Sequence, residues 1–322
     1  MATKKKMLEA AAGSAGGGAG LNVEEVFSTY LYEGNGSTQT ITNDIDLDGE
    51  GGMVWLKKRS SSVNANHQVG DTERGAGNTL IVNDTYANLG PLDSYFTSFN
   101  SDGFSIGSAA NFNENSQTFA SWTFRKAPKF FDVVTYTGDG TSGRLIPHNL
   151  GSQPGCVIIK RTDSTSDWVT YHRSLSQTYY YLKLNTTDDV FTSGGSGSGA
   201  HTSTDIEVGY GFVNTSGGTY VAYLFAHNDG DGEFGPTGDQ DIIKCGSAPY
   251  NSKVTLGWEP QWLLIKRTDS TGNWWLVDNM RGLTVNGVDD AFLNPDTSGA
   301  EANYNAAEIY ADGFKHYITT GS

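Results

Sequence analysis

The sequence predicts an all-β protein: tandem antiparallel β-sandwiches of the jelly-roll, concanavalin-like kind, preceded by an extended N-terminal arm. Three observations carry that prediction. Short runs such as VVTYTG, CVIIKR, YYYLKL and TYVAYLF are rich in β-branched and aromatic residues and end in Gly, Asn, Asp, Ser and Thr clusters, the pattern of strands closed by turns. After position 26 no window places apolar residues at helical spacing. Residues 159–168, IKRTDSTSDW, return at 265–274 as IKRTDSTGNW, eight identities in ten at an offset of 106 residues. The chain therefore repeats a unit the size of one small sandwich.

Residues 1–26 are the arm. Lys4 to Lys6 lead into alanines and glycines, with hardly an apolar side chain to bury before Leu21, Val23 and Val26. Two readings stay open for this segment: a disordered leader, or a peptide whose small residues let it lie close against another protein's backbone.

The first unit covers 27–128, the second 129–230 and the third 231–322. Tyr32 to Gly36 matches Tyr136 to Gly140, Val54 to Lys57 matches Val157 to Lys160, and Asp132 to Val134 matches Asp241 to Ile243. The closing run TFASWTF at 118–124 aligns with TYVAYLF at 219–225. Alternation in the latter puts Tyr220, Ala222 and Leu224 on one face and Val221, Tyr223 and Phe225 on the other, which predicts a strand covered on both sides. The third unit reaches the Asp312-Gly313-Phe314 counterpart of Asp102-Gly103-Phe104 but has no closing run. A sandwich short of one strand leaves edges with unpaired N–H and C=O groups, to be completed by further sequence or by a neighbouring chain.

Charge and composition narrow the function. With 21 basic against 36 acidic residues, net −15, and no basic patch beyond the three N-terminal lysines and short Lys-Arg pairs, the chain repels a phosphate backbone; nucleic-acid binding is disfavoured. No run approaches the roughly 20 apolar residues of a membrane-spanning helix. The opening residues are interrupted by Glu9 and glycines where a secretory signal is continuously apolar. Two cysteines, Cys156 and Cys245, do not make a disulfide framework and read as free, buried thiols of a protein assembled in a reducing cytoplasm.

Reactive constellations are sparse. There is no GxxxxGK[ST] phosphate loop, no HExxH pair among the six histidines and no GxSxG elbow. Asp44 to Gly49 opens like a calcium loop, but its twelfth position is Trp55 rather than a bidentate Glu, so it reads as a solvated turn; Asp229 to Glu233 reads as a linker. Asp71/Arg74 and Asp278/Arg281 recur at one position of the repeat, at a spacing that allows a carboxylate–guanidinium contact across a turn. Scaffolds repeat their turns, so both pairs read as structural. No catalytic residue, metal ligand or cofactor site is expected. Trp55, Trp122, Trp168, Trp262 and Trp274 fall at anchor positions and are expected in the core. Trp258, Trp275 and the run Tyr179, Tyr180, Tyr181 are the candidates for an exposed contact surface.

The phrases FSTYLYEGNGSTQTITN, GGMVWLKKR, RGAGNTL, FASWTFRKAPKFFDVVTYTGDGT and GWEPQWLLIKRTDSTGNWWLVDNMRG resemble a repeat family common in tailed phages of marine bacteria and cyanobacteria, carried as tail-fibre-like virion structural proteins. The resemblance spans about residues 27–322. It implies a non-enzymatic particle component, a tail fibre or tail-associated appendage. Residues 1–26 would attach it to other virion proteins. Self-association as a trimer and contact with host surface glycans are further implications. A capsid decoration or head fibre, and a polysaccharide-binding or -degrading enzyme on the same scaffold, are the alternatives. Assembly in the host cytoplasm and residence in the virion follow from the first reading.

Overall fold

A computed structural model describes residues 20–63, 65–177, 179–192, 200–209, 211–283 and 290–318. The expected class holds: the chain is all-β, with every paired strand antiparallel. In the first unit β1 (Phe27–Glu33), β2 (Gln39–Thr42), β3 (Gly52–Lys58), β4 (Gln68–Asp71), β5 (Leu80–Ile81), β6 (Phe96–Asn100), β7 (Gly103–Ile106) and β8 (Thr118–Arg125) form two layers. The larger sheet runs β1-β8-β3-β4-β5 and the smaller β2-β7-β6. Chain neighbours β1 and β2 thus lie in opposite sheets, and the closing strand β8 returns to lie between β1 and β3, pairing with both.

The second unit repeats the plan with β9 (Phe131–Thr137), β10 (Arg144–Pro147), β11 (Cys156–Arg161), β12 (Val169–His172), β13 (Leu182–Lys183), β14 (Asp205–Val208) and β15 (Thr219–Phe225). Its sheets run β9-β15-β11-β12-β13 and β10-β14. The alternation in β15 falls as the sequence predicts. Tyr220, Ala222 and Leu224 pack into the unit's own core with Ile146 and Ile206. Val221, Tyr223 and Phe225 face the other way.

That other side is shared. One apolar core gathers Trp55, Trp122 and Phe124 from the first unit, Ile158, Trp168 and Tyr223 from the second, and Trp274, Leu276 and Leu293 from the third. Each unit also keeps a private core between its two layers. The three large sheets therefore face a common interior, and the repeats make one body rather than separate beads. A closing strand apolar on both faces is what this arrangement demands, because each face meets a different core.

The third unit has β16 (Lys253–Thr255), β17 (Trp262–Lys266), β18 (Trp274–Asp278), β19 (Asp290–Phe292), β20 (Ala302–Tyr304), β21 (Ala307–Tyr310) and β22 (Gly313–His316). Its small sheet, β16-β22-β21, matches β2-β7-β6, but among the described residues the large one holds only β17-β18, extended by a bridge from Leu276 to Leu293. Residues 241–245, the counterpart of β9, form no strand. In the other units the first strand pairs only with the closing strand; without that partner the segment instead follows the end of the second unit, with Asn228 N–H donating to Ile243 O and Cys245 N–H to His227 Nδ1.

The folded body begins earlier than the sequence suggests. Leu21 bridges Phe234 in parallel and accepts the Gly235 N–H at 2.9 Å. The short helix α1 (Val23–Val26) buries Val26 completely in the shared core. Residues 20–26 thus belong to the body, because Leu21, Val23 and Val26 have apolar surface to bury there. The remainder of the expected arm, 1–19, lies outside the described residues.

Candidate functional site

Equivalent residues join the units in cyclic order. Lys57, Lys160 and Lys266 hold one position of the repeat. Lys57 Nζ donates to Gly299 O of the third unit at 2.8 Å, Lys160 to Thr85 O of the first at 3.0 Å, and Lys266 to Thr187 O of the second at 3.1 Å. One strand further on, Trp168 donates to Ile81 O at 2.8 Å and Trp274 to Lys183 O at 2.9 Å, while His67 in the same place faces the Asn294 backbone. Burial pushes the Lys57 ammonium down to about 7, with Lys58 adding repulsion and Glu301 opposing it. Lys160 falls to about 8 for the same first reason.

The closing strands complete the seams. Tyr223 in β15 donates to Asp71 Oδ2 at 2.7 Å, and the equivalent Trp122 in β8 donates through Nε1 to Asp278 Oδ2 at 2.9 Å. Each acceptor is the carboxylate of a turn clamped by its own arginine: Arg74 Nε meets Asp71 at 2.7 Å and Arg281 Nε meets Asp278 at 2.7 Å. The recurring Asp/Arg pairs are seats for an aromatic of the next unit, which accounts for their repetition.

At the third seam the seat is different, and among the described residues no closing-strand aromatic reaches it. Strand register aligns Asp71 and Asp278 with His172, and the arginine position is Leu175. Both line a cleft of about 560 Å³ together with Cys156, Tyr180, His201 and His227, with Asp229 and Asp231 also on its wall. Burial first, then Arg173 and His227, lowers His172 to about 4. Burial and His148 lower His201 to about 4. Burial also lifts the Cys245 thiol to about 12. The cleft therefore sets the neutral imidazoles of His172 and His201, as hydrogen-bonding groups, beside the fixed charges of Arg173, Asp229 and Asp231. His172 Nδ1 accepts the Ser174 N–H at 3.2 Å, which assigns the ring proton to Nε2.

The ring candidates divide. Tyr180 lines the cleft, and Tyr179, 44% exposed, meets it edge-on at 5.1 Å between centroids. Tyr181 is a correction: it is buried, stacked on Phe191 at 5.1 Å, because alternation in YYYLKL turns its ring inward. Trp275 is a second correction. It lies 3% exposed against Phe292 at 4.2 Å and Tyr304 at 5.4 Å, since its strand position, that of Val169, faces the private core. Trp258 is half-buried and does not line the cleft; its indole nitrogen is enclosed without a hydrogen-bond partner. Of the expected core tryptophans four are buried, and Trp262 is half-buried against Phe124 at 5.5 Å. His172 was not a sequence candidate; its signal was the second repeat's departure from the Asp/Arg pattern.

Other expectations can be placed. Asp46 in the calcium-like loop accepts the Gly49 N–H at 2.7 Å while Ile45 and Leu47 are buried, making a self-capped turn. Asp241 accepts the N–H groups of Gly230 and Gly232 at 2.7 and 2.9 Å, tying the Asp229–Glu233 linker down. Among the described residues no His, Cys, Asp and Glu cluster is arranged to hold a metal ion, and no helix is long and apolar enough to cross a membrane. Both cysteines are free.

The profile of one family, a domain of unknown function designated DUF7483, matches residues 23–322. The chain belongs to the DUF7483 family. The match starts inside α1, so the DUF7483 domain takes in all three repeats as a single unit, in keeping with their shared core. Neither the curated proteins nor the solved structures contain a match to the chain.

Proposed function

We propose that this DUF7483 protein is a structural component of a bacteriophage particle, a tail fibre or tail-associated appendage, joined to other virion proteins through its N-terminal arm and without catalytic activity of its own. The observation that carries the reading is where the recurring letters fall. Lys57, Lys160 and Lys266, the tryptophans of the IKRTDST phrases and the two Asp/Arg turns all serve contacts between repeats. Repetition spent on assembling a rigid body supports a scaffold role, and the resemblance of the same phrases to tail-fibre-like proteins supplies the particle. Self-association as a trimer, and contact with host glycans through the paired rings of Tyr179 and Tyr180, belong to the same proposal.

Electron microscopy of particles carrying a tag at the C-terminus tests it. Label on the tail is the expected result, label on the capsid favours the decoration or head-fibre reading, and purified particles lacking the chain refute both. A variant missing residues 1–19 is expected to fold but to be lost from particles. Its normal incorporation overturns the anchoring role.

A further inference from the structure

We propose that the outer face of the third unit's small sheet, where Glu308, Tyr310, Lys315 and Tyr317 stand together, binds neutral oligosaccharides built of pyranose units with adjacent free hydroxyls. The site is separate from Tyr179 and Tyr180, and it does not depend on the particle assignment.

The three copies differ here. Ile309 and Phe314 point into the private core, so alternation turns Glu308, Tyr310 and Lys315 to the outside of β21 and β22, with Lys253 beside them on β16. Strand register sets these four against Ser98, Asn100, Ser105 and Thr40 of the first unit. There the short side chains satisfy one another: Thr40 Oγ1 meets Ser105 Oγ at 2.9 Å, Ser98 donates to Asn100 Oδ1 at 2.8 Å, and Asn100 Nδ2 donates to Ser105 at 3.1 Å. The second unit carries Leu145 and Glu207 at the Thr40 and Ser105 positions. Tyr317 stands where the other two units have Gly107 and Gly209. Letters shared by the copies build the seams; the charges and rings on this face are particular to the third unit, and neither the seams nor the private core uses them.

Glu308 organises the face. Its Oε2 accepts the Tyr317 hydroxyl at 2.7 Å and the Tyr310 hydroxyl at 2.8 Å, which ties both rings to one carboxylate. The same bonds, Tyr317 first, hold the Glu308 carboxyl below its ordinary range, so it stays an ionised acceptor. Its Oε1 has no hydrogen-bond partner among the described residues, and neither has the Lys315 ammonium directly across the strands. A carboxylate oxygen beside an ammonium suits two neighbouring sugar hydroxyls, one donating to the oxygen and one accepting from the nitrogen. The rings next to them, with exposed Tyr250 nearby, give the C–H face of a pyranose an apolar surface to lie on. Lys253 Nζ lies 4.8 Å from the Tyr310 centroid and Lys315 Nζ 5.0 Å from that of Tyr317. Such contacts are weak where water competes, so a sugar ring displaces them. Charge selects the class of sugar. Lys253 pairs with Asp312 at 2.7 Å and Lys315 faces Glu308, which leaves the face neutral, while the chain at net −15 repels a polyanion.

The test titrates the full-length chain with cellopentaose, maltopentaose and mannopentaose, and with pentagalacturonate as the acidic counterpart, following backbone amide shifts by NMR. Saturable shifts centred on residues 308–317 are expected with at least one neutral pentasaccharide, and weaker binding of pentagalacturonate. Tyr317→Ala and Glu308→Ala are each expected to weaken binding about tenfold at an unchanged melting temperature. Tyr179→Ala is expected to leave the affinity as it is, which separates this face from the other ring pair. Where a variant fails to fold, the titration of the unaltered chain decides alone. Absence of saturable binding by all three neutral sugars, shifts confined to the Tyr179 and Tyr180 region, or tighter binding of pentagalacturonate overturns the proposal.

Discussion

Tyr223 and Asp71 lie 152 positions apart in sequence, yet the tyrosine hydroxyl donates to the aspartate at 2.7 Å across the seam between the second and first repeats. Arg74 holds the other side of that carboxylate at 2.7 Å, and all three side chains are buried or nearly so. A local turn thereby becomes a receptor for a distant strand, and the repeat becomes a quaternary-like contact inside one chain.

Breaking this triad has graded consequences. Asp71→Ala leaves Arg74 as an uncompensated buried cation, a loss of about 3 to 5 kcal/mol. Tyr223→Phe removes one hydrogen bond and leaves a clamped carboxylate, about 1 to 2 kcal/mol. Urea denaturation of both single variants and the double variant is expected to give non-additive losses, since the residues share one network. Additive values would show the seam contact to be energetically idle.

Much of this fold is written in local chemistry. Alternation in TYVAYLF identifies a two-faced strand, and β-branched runs between polar turns identify the rest. Two kinds of information were not local. Trp275 reads as a spare ring because Val169 is its counterpart, and only the layer order of the strands turns it into the private core against Phe292. The cleft carries His172 at the position where the other two repeats carry an aspartate. Periodicity does not register such a substitution, but comparing the three copies position by position does. The sharing of one core by three repeats was hidden for the same reason, since apolar faces state that they are covered and not by what.

The buried lysines make stability depend on pH in a stated direction. Unfolded, Lys57 and Lys160 keep their protons to near 10.5; folded, they release them near 7 and 8. Between those limits the unfolded chain holds more protons, so stability rises with pH from about 7 to about 10. Lys57→Met removes its share of the slope while leaving the Gly299 carbonyl without its donor. Equilibrium unfolding at a series of pH values is expected to give a flatter profile for the variant, and an unchanged profile would mean that Lys57 keeps an ordinary affinity for its proton.

The cleft histidines act on the acid side. His172 and His201 titrate near 4 in the folded chain and near 6.5 when unfolded. The unfolded state therefore binds more protons between these values, and stability falls as pH drops from 6.5 towards 4. Proton NMR of the imidazole resonances is expected to place both midpoints well below 6. In His172→Gln one resonance is lost and the acid limb of the stability profile is shallower. A midpoint of 6.5 for His172 would mean that water fills the seat freely.

A shared core also fixes how the molecule unfolds. Trp122, Trp168 and Trp274 come from different repeats but belong to one cluster, and each donates its indole hydrogen across a seam. No repeat can open without exposing apolar surface of the other two, so loss of one unit removes burial from all three. Tryptophan fluorescence and amide exchange in each unit are expected to report a single coincident transition. A fragment of residues 231–322 alone should remain unfolded, because β17 and β18 are then a two-stranded ribbon whose Trp274 face has lost its cover. If that fragment gave a cooperative melt, or if the units melted at three separate denaturant concentrations, the private cores would be sufficient by themselves and the seams would be contacts of convenience. The coincident outcome follows instead if Lys57, Lys160 and Lys266 tie three sheets into one folding unit.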